Sequence, residues 1–287
     1  MSRSERTAIK RIQLPQARIL VVDDFVTNLD VIKGVLEMYG MQVDCVVSGA
    51  EAINRLMDTE RHYHAVFMDH MMPDLDGTET MQQIRDMDTE YAKTVPIFMV
   101  TANVSEGNEL KFLSQGFQAY MSKPIDLMLI DELIHTWVVP QFAKAEDHRN
   151  EHSLTPISSI RLEDIHIEGI DTAMVMILYE NDILLYSKIL QSFVQNTPAV
   201  VEALRQVSLK SMKEYTIQVH GIKGACNTIA AVDLSMRAYT LEIKTKRDTF
   251  TAQAYQEIAL ENDFLLTELQ LLCKRIQMWL DTMDLEH

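Results

Sequence analysis

The sequence predicts two folds in series: an α/β domain on a doubly wound, five-stranded parallel sheet, then an all-α antiparallel four-helix bundle. Three observations carry that expectation. In the first half, short apolar runs alternate with stretches of helical period, the pattern of strands joined by crossover helices. From Pro140 to about Ile160 the composition turns polar and charged, with Pro156 and several Ser and Thr residues, which reads as a linker. Beyond it, apolar residues recur in steps of three and four throughout. With 287 residues and 47% hydrophobic content, each half is long enough to enclose its own core.

Taken in order, Arg18 to Val22 form an apolar strand that runs into Asp23 and Asp24, and a helix is expected near Asn28 to Tyr39. Strand Gln42 to Val46, helix Ala50 to Met57, strand Ala65 to Met68 and helix Thr78 to Met87 follow. The alternation continues with strand Ile97 to Val100, helix Glu106 to Gln115, strand Ala119 to Met121 and helix Leu127 to Trp137. Crossover helices between parallel strands imply helices on both faces of the sheet. In the second half, helices are expected near Asp171 to Tyr179, Asp182 to Gln195, Ala199 to Val207, Met212 to Thr228, Ala231 to Lys246 and Thr249 to Asp281. In the last of these, Leu265, Leu269, Leu272, Ile276 and Trp279 make a core face without chemistry, and Met174, Met176, Met236 and Met278 read as core filler.

The stretch Val66-Phe67-Met68-Asp69-His70-Met71-Met72-Pro73-Asp74-Leu75-Asp76-Gly77 carries the most chemistry. Asp69 stands where an apolar strand opens into a Pro- and Gly-punctuated loop, and such strand ends are where open α/β sheets bind ligands. It is the candidate nucleophile. Asp23 and Asp24 end one further strand, Thr101 ends another, and Lys123 follows a third. Singly, such acids and hydroxyls usually cap the next helix and such a lysine is usually solvated. Parallel strands, however, deliver all four ends to one edge. Three crowded acids repel unless a divalent cation joins them, and Mg²⁺ suits carboxylates plus water while bridging to a phosphoryl oxygen. Lys123 and Thr101 would hold the remaining oxygens of a phosphoryl group passing to the carboxylate, a reaction that is mostly positioning and charge neutralisation.

On these residues, positions 17–140 resemble the receiver domain of two-component response regulators: the Asp-Asp pair, the Asp-x-x-Met-Pro-x-x-x-Gly run, the Thr-Ala pair and the Lys-Pro pair are all present. The resemblance implies a flavodoxin-like fold with Asp69 as phosphoacceptor. It implies Asp24 as a direct Mg²⁺ ligand, Asp23 as a ligand through water, and the main-chain carbonyl of Met71 as a further ligand. Thr101 and Tyr120 match the switch pair, Lys123 matches the phosphate-contacting lysine, and Lys123-Pro124 is expected to be cis.

A second motif is Val219-His220-Gly221-Ile222-Lys223-Gly224-Ala225-Cys226-Asn227. On a helix, Tyr215, Val219, Ile222, Cys226 and Ile229 share one side and His220 lies roughly opposite, so His220 is expected to face solvent. Lys223, Gly224 and Asn227 fall beside it. Gly in a helix interior costs roughly 1 kcal/mol relative to Ala, so Gly221 and Gly224 call for a reason such as close approach of a partner. A lone surface histidine on a poor helix is the ordinary reading; the Lys and Gly spacing, with the Asp69 motif in the same chain, favours a functional one. A neutral imidazole attacks phosphorus near neutral pH and releases the group again readily.

This segment resembles the histidine-containing phosphotransfer domain, with its His-x-x-Lys-Gly motif. The resemblance runs on through Ser235-Met236-Arg237-Ala238-Tyr239-Thr240-Leu241-Glu242; Asn227 and Ala230 depart from it, standing where members often have small glycines. It implies His220 as the phosphorylated residue, Lys223 neutralising the phosphoryl group and Gly224 leaving it room. The organisation expected is a tail at 1–16, a receiver at 17–140, a linker at 141–165, a phosphotransfer domain at 166–284 and a purification-tag remnant at 285–287.

A formal net charge of −16 argues against a nucleic-acid partner, whose phosphates would be repelled. Cys45, Cys226 and Cys273 lack metal-ligand spacing and read as reduced thiols of a cytoplasmic protein. No apolar run approaches the roughly 18 residues of a membrane span. The function expected is a phosphorelay: phosphoryl accepted on Asp69 and relayed through His220 to or from a receiver aspartate, with a sensor histidine kinase upstream and a response-regulator receiver downstream. No ATP-binding kinase module is recognisable, so histidine kinase activity would follow only if the chain is part of a hybrid kinase. Two alternatives are a phosphorylation-gated interaction module with His220 as phosphate sink, and a scaffold without chemistry.

Overall fold

A computed structural model describes residues 12–58, 60–101, 108–142, 162, 165–179, 182–205, 211–247 and 249–284. The expected tail (to residue 11), most of the linker, and residues 285–287 lie outside the described residues.

The first half forms strands β1 (Arg18–Val22), β2 (Gln42–Val46), β3 (Ala65–Asp69), β4 (Ile97–Thr101) and β5 (Ala119–Ser122), all parallel in the order β2-β1-β3-β4-β5. The crossovers are helices α1 (Val26–Glu37), α2 (Gly49–Met57), α3 (Gly77–Arg85) and α5 (Asn108–Gln115), with α6 (Leu127–Leu133) after β5. Alternation along the strands separates two cores. Ile19, Val21, Phe67, Phe98 and Val100 face α1 and α6, whereas Leu20, Val22, Met68, Ile97 and Met99 face Ala52 and Leu56 of α2, Met81 and Ile84 of α3 and Phe112 of α5. Strands buried on both faces explain runs that are apolar without alternating.

A short helix α4 (Glu90–Thr94) precedes β4; its Thr89 cap accepts from Ala92 N–H, and its five residues are too few for an apolar period to be visible in the sequence. The α6 helix continues as a π-helical turn, Ile134–Val138. Residues 106 and 107 of the helix expected at Glu106 to Gln115 lie outside the described residues.

The second half holds α7 (Thr172–Tyr179), α8 (Ile183–Arg205), α9 (Met212–Thr228), α10 (Val232–Thr245) and α11 (Ala252–Asp284). Helices α8 to α11 pack in a ring: α8 on α9, α9 on α10, α10 on α11 and α11 on α8. The two helices expected on either side of Pro198 are one helix, α8. Proline removes an amide donor and usually breaks a helix. Here Thr197 Oγ1 donates to the Phe193 carbonyl at 2.5 Å and Asn196 Nδ2 to that of Ser192 at 2.9 Å, while Phe193, Val201 and Leu204 keep both halves in the core. The core face of α11 is as expected at Leu265, Leu269, Leu272 and Ile276. Met176, Met236 and Met278 are exposed, not core filler, because a helical step of three or four does not say which flank of the apolar stripe a residue borders.

One continuous apolar core joins the halves. The cluster that includes Ile19, Phe67 and α1 also includes Leu185, Leu190, Val219 and Ile222. Leu185 of α8 packs on Gly34 of α1, its Cδ1 2.8 Å from where a Cβ would stand, and Ser192 Oγ donates to Asp30.

Candidate functional site

Asp69 ends β3, Asp23 follows β1 and Thr101 ends β4, so three neighbouring parallel strands bring their carboxyl ends together. All three side chains are buried. Lys123, just after β5, reaches across the sheet edge: its Nζ lies 2.6 Å from Asp23 Oδ2 and 2.5 Å from Asp69 Oδ1. Asp23 Oδ1 accepts from the Phe25 amide at 2.8 Å and from Asn28 Nδ2 at 3.0 Å, and Asp69 Oδ2 accepts from the Met71 amide at 2.9 Å. Lys123-Pro124 is cis. Tyr120 lies opposite Met99 in the β4–β5 register, with Thr101 opposite Ser122. Gly77 lets the loop close: a Cβ there would come 2.2 Å from the Asp69 carbonyl oxygen.

Three carboxylates share this pocket, those of Asp23, Asp24 and Asp69, with one oxygen of each within 4.8 Å of the others. Burial, then repulsion from Asp23 and Asp69, pushes the Asp24 carboxyl up to about 8. Burial likewise raises Asp69, although Lys123 opposes it. Burial works against the Lys123 charge, but Asp23 and Asp69 outweigh it and its pKa is raised. One lysine for three acids leaves an electrostatic deficit, and Asp24 Oδ2 is buried without a hydrogen-bond partner. An acidic cluster with an orphaned oxygen fits a hard divalent cation such as Mg²⁺.

The second motif lies on α9, and the expectation of a solvent-facing His220 is incorrect: the residue is 3% exposed. Helical geometry did turn it away from the core side, where Tyr215, Val219, Ile222, Cys226 and Ile229 are buried, but the first half of the chain covers it from outside. A Cβ on Gly221 would fall 1.7 Å from the Phe25 ring, and one on Gly224 would meet Lys123 Cδ at 3.4 Å and Asn28 Nδ2 at 3.8 Å. The glycines thus mark close approach to the strand-end cluster itself. Lys123 touches Asp69 with its tip and the His220 helix with its stem.

On the other side of His220, Glu242 of α10 accepts from Nδ1 at 2.9 Å and from Lys223 Nζ at 2.7 Å, and Lys246 adds a third bond at 2.6 Å. Burial opposes the Glu242 charge, but these partners hold its carboxyl well below the ordinary range. Burial lowers His220, reinforced by Lys223 and Lys123 and opposed by Glu242, which favours the neutral ring. Burial also lowers Lys223, which lies 5.6 Å from the Tyr239 ring centre. A neutral ring donating from Nδ1 carries its lone pair on Nε2, and Nε2 is buried without a partner. Among the described residues four buried side-chain polar atoms lack partners; three, Asp24 Oδ2, Asn28 Oδ1 and His220 Nε2, belong to residues at this junction.

Sequence reasoning brought out every cluster residue but assigned no role to Glu242, Phe25 or Asn28. The Asn28 position four residues after Asp24 puts it one turn into α1, beside the acids; Glu242 had no local signal, since its bond to His220 spans two helices.

Residues 19–135 match the model of the response regulator receiver domain family. Over 119 residues, 41% of this chain, the sequence is 35% identical to hybrid signal transduction histidine kinase L of Dictyostelium discoideum, and over 127 residues, 38% of the chain, 35% identical to histidine kinase 3 of Arabidopsis thaliana. These matches span 7% and 12% of the relatives' own lengths. A solved receiver domain of a sensor histidine kinase from Pseudomonas aeruginosa, described with a magnesium ion in its active-site cleft, is 30% identical, with a TM-score of 0.39, over 43% of this chain and 98% of that one. Among the described residues no helix is long and apolar enough to cross a membrane. With its strand order and acidic strand-end cluster, the segment 19–135 is a two-component response regulator receiver domain with homologues in hybrid histidine kinases.

Proposed function

We propose that the chain is a phosphorelay protein in which a receiver (residues 17–140) exchanges phosphoryl with a histidine phosphotransfer domain (166–284), a four-helix bundle of α8 to α11. The observation that carries this reading is the approach of the His220 helix to the Asp69 cluster through Gly221 and Gly224, with an unpartnered Nε2 at the junction.

Asp69 is the phosphoacceptor. Mg²⁺ would be held by Asp24, by Asp23 through water, by Asp69 and by the Met71 carbonyl; when bound it supplies positive charge to the carboxylates and phosphoryl oxygens. Lys123 neutralises a phosphoryl oxygen, Thr101 donates to another, and Tyr120 reports the change as its switch partner. In transfer to histidine, the Nε2 lone pair forms the N–P bond as the Asp69 O–P bond breaks, and the carboxylate leaves with the electron pair. Nδ1 keeps its proton, and the positive charge that develops on the ring faces Glu242. Lys223 offsets charge on the phosphoryl group, and Gly224 leaves it room. The reverse reaction uses the same groups. A sensor histidine kinase upstream and a receiver downstream complete the relay, in the cytoplasm.

The test is labelling by a small acyl phosphate in Mg²⁺. Wild type should carry alkali-labile phosphate on Asp69 and acid-labile phosphate on His220; Asp69→Asn should lose both, and His220→Ala only the second. Label on Asp69 that never reaches His220 with any receiver would favour a phosphorylation-gated interaction module instead.

A further inference from the structure

We propose that the chain's own receiver is the resident partner of His220 and, through the same contact, the cover that keeps other receivers off it. The proposal rests on the relay reading for what crosses the contact; the contact itself does not.

The junction is built for one shape. Gly34 admits the tip of Leu185, and Gly221 admits the Phe25 ring, which a Cβ at Gly221 would meet at 1.7 Å. The Ser192–Asp30 hydrogen bond fixes α8 against α1, and the apolar core runs through without interruption. Another receiver, to bring its carboxylate to Nε2, would need the surface that this receiver fills.

The cover leaves one of the acids, but not His220, open to small reagents. A cleft of about 240 Å³ opens at the junction, lined by Asp24 and Thr27 on one side and Asn196, Thr197 and Gln218 on the other. Of the acids only Asp24 lines it, and His220 does not, so an ion or a small donor has a path to the edge of the acidic cluster and none to the imidazole, and a folded domain has neither. The closed chain therefore passes phosphoryl internally, and a second receiver gains His220 only when α1 parts from α8 and α9.

The test uses full-length chains. A His220→Ala donor is loaded on Asp69 and mixed with an Asp69→Asn acceptor, with and without Leu185→Glu in both. Leu185→Glu replaces the apolar tip packed on Gly34 with a carboxylate, in a pocket lined by Asp30, Glu37, Lys33 and Lys188, and so removes the apolar contact that seats α8 on α1. A contact that leaves about one molecule in ten open predicts a roughly tenfold rise in transfer between chains when it is broken. Gly34→Arg, which opens the same contact from the receiver side and favours the helix, should act alike. Carbethoxylation of His220, mapped by mass spectrometry, should rise by a similar factor while exposed His135 stays unchanged. Equal His220 reactivity in wild type and both variants overturns the proposal. Protection lost on dilution by about two orders of magnitude also overturns it, since the cover is then a second copy. Protection that opens in the variants, with His220 never labelled, sustains the cover and sinks the relay.

Discussion

Lys123 spans the acids and the His220 helix, while Glu242 ties His220 to Lys223 and Lys246, so a single substitution at Glu242 separates charge from geometry at the imidazole. Glu242→Gln keeps an acceptor for Nδ1 but removes the charge facing Lys223, Lys246 and the ring. A charge-assisted bond is worth roughly 1.5–3 kcal/mol, so transfer to His220 should slow by about one to two decades if the bond strengthens in the transition state. Nitrogen chemical shifts of His220 should then show mixed tautomers; unchanged shifts and rates would reduce Glu242 to an ion-pair partner of the lysines. Lys223→Ala should slow transfer to a similar degree with the helices intact by circular dichroism. At the receiver, Asp69→Asn should abolish Mg²⁺-dependent labelling.

At the scale of elements, the packing of α9 on α1 turns on Gly221. Ala is the better helix former by about 1 kcal/mol, so propensity alone predicts that Gly221→Ala stabilises α9. The new methyl would fall 1.7 Å from the Phe25 ring, a clash that outweighs propensity unless the ring moves. The expected result is a helical domain that keeps its helix content while the two halves separate, visible as a larger radius of gyration in solution scattering. Adding Phe25→Ala should restore compactness. Gly221→Ala that stays compact by itself would show that the Phe25 contact does not hold the halves.

For the whole molecule, the unbalanced acids link stability to pH and to metal. The Asp24 carboxyl, raised from 3.8 to about 8, keeps its proton in the folded chain across a window where the unfolded chain has lost it. The unfolded state then binds fewer protons, so stability falls as pH rises through that window. Thermal melts without divalent ions should therefore show wild type losing ground to Asp24→Asn from the lower to the upper end of the window. Mg²⁺ should reverse the order at the upper end, since binding at a hundred times Kd stabilises by about 2.7 kcal/mol. No Mg²⁺ effect on wild type would remove the metal from the site.

Much of this was legible in the sequence because it is local. Period, strand ends and punctuation set the five strands, and parallel strands deliver their carboxyl ends to one edge whatever else the chain does, so Asp23, Asp24, Asp69, Thr101 and Lys123 could be grouped before any coordinates. The His-x-x-Lys-Gly spacing likewise placed Lys223 and Gly224 beside His220. What depended on contacts distant in sequence was not legible. Pro198 looks like a break until the packing around Phe193 and Val201 spans it, and Glu242 acquires its role only when α10 lies against α9. The exposure of His220 was not legible for the same reason: a helical wheel gives direction relative to one core, and only the tertiary structure decides that the first half of the chain covers the other side.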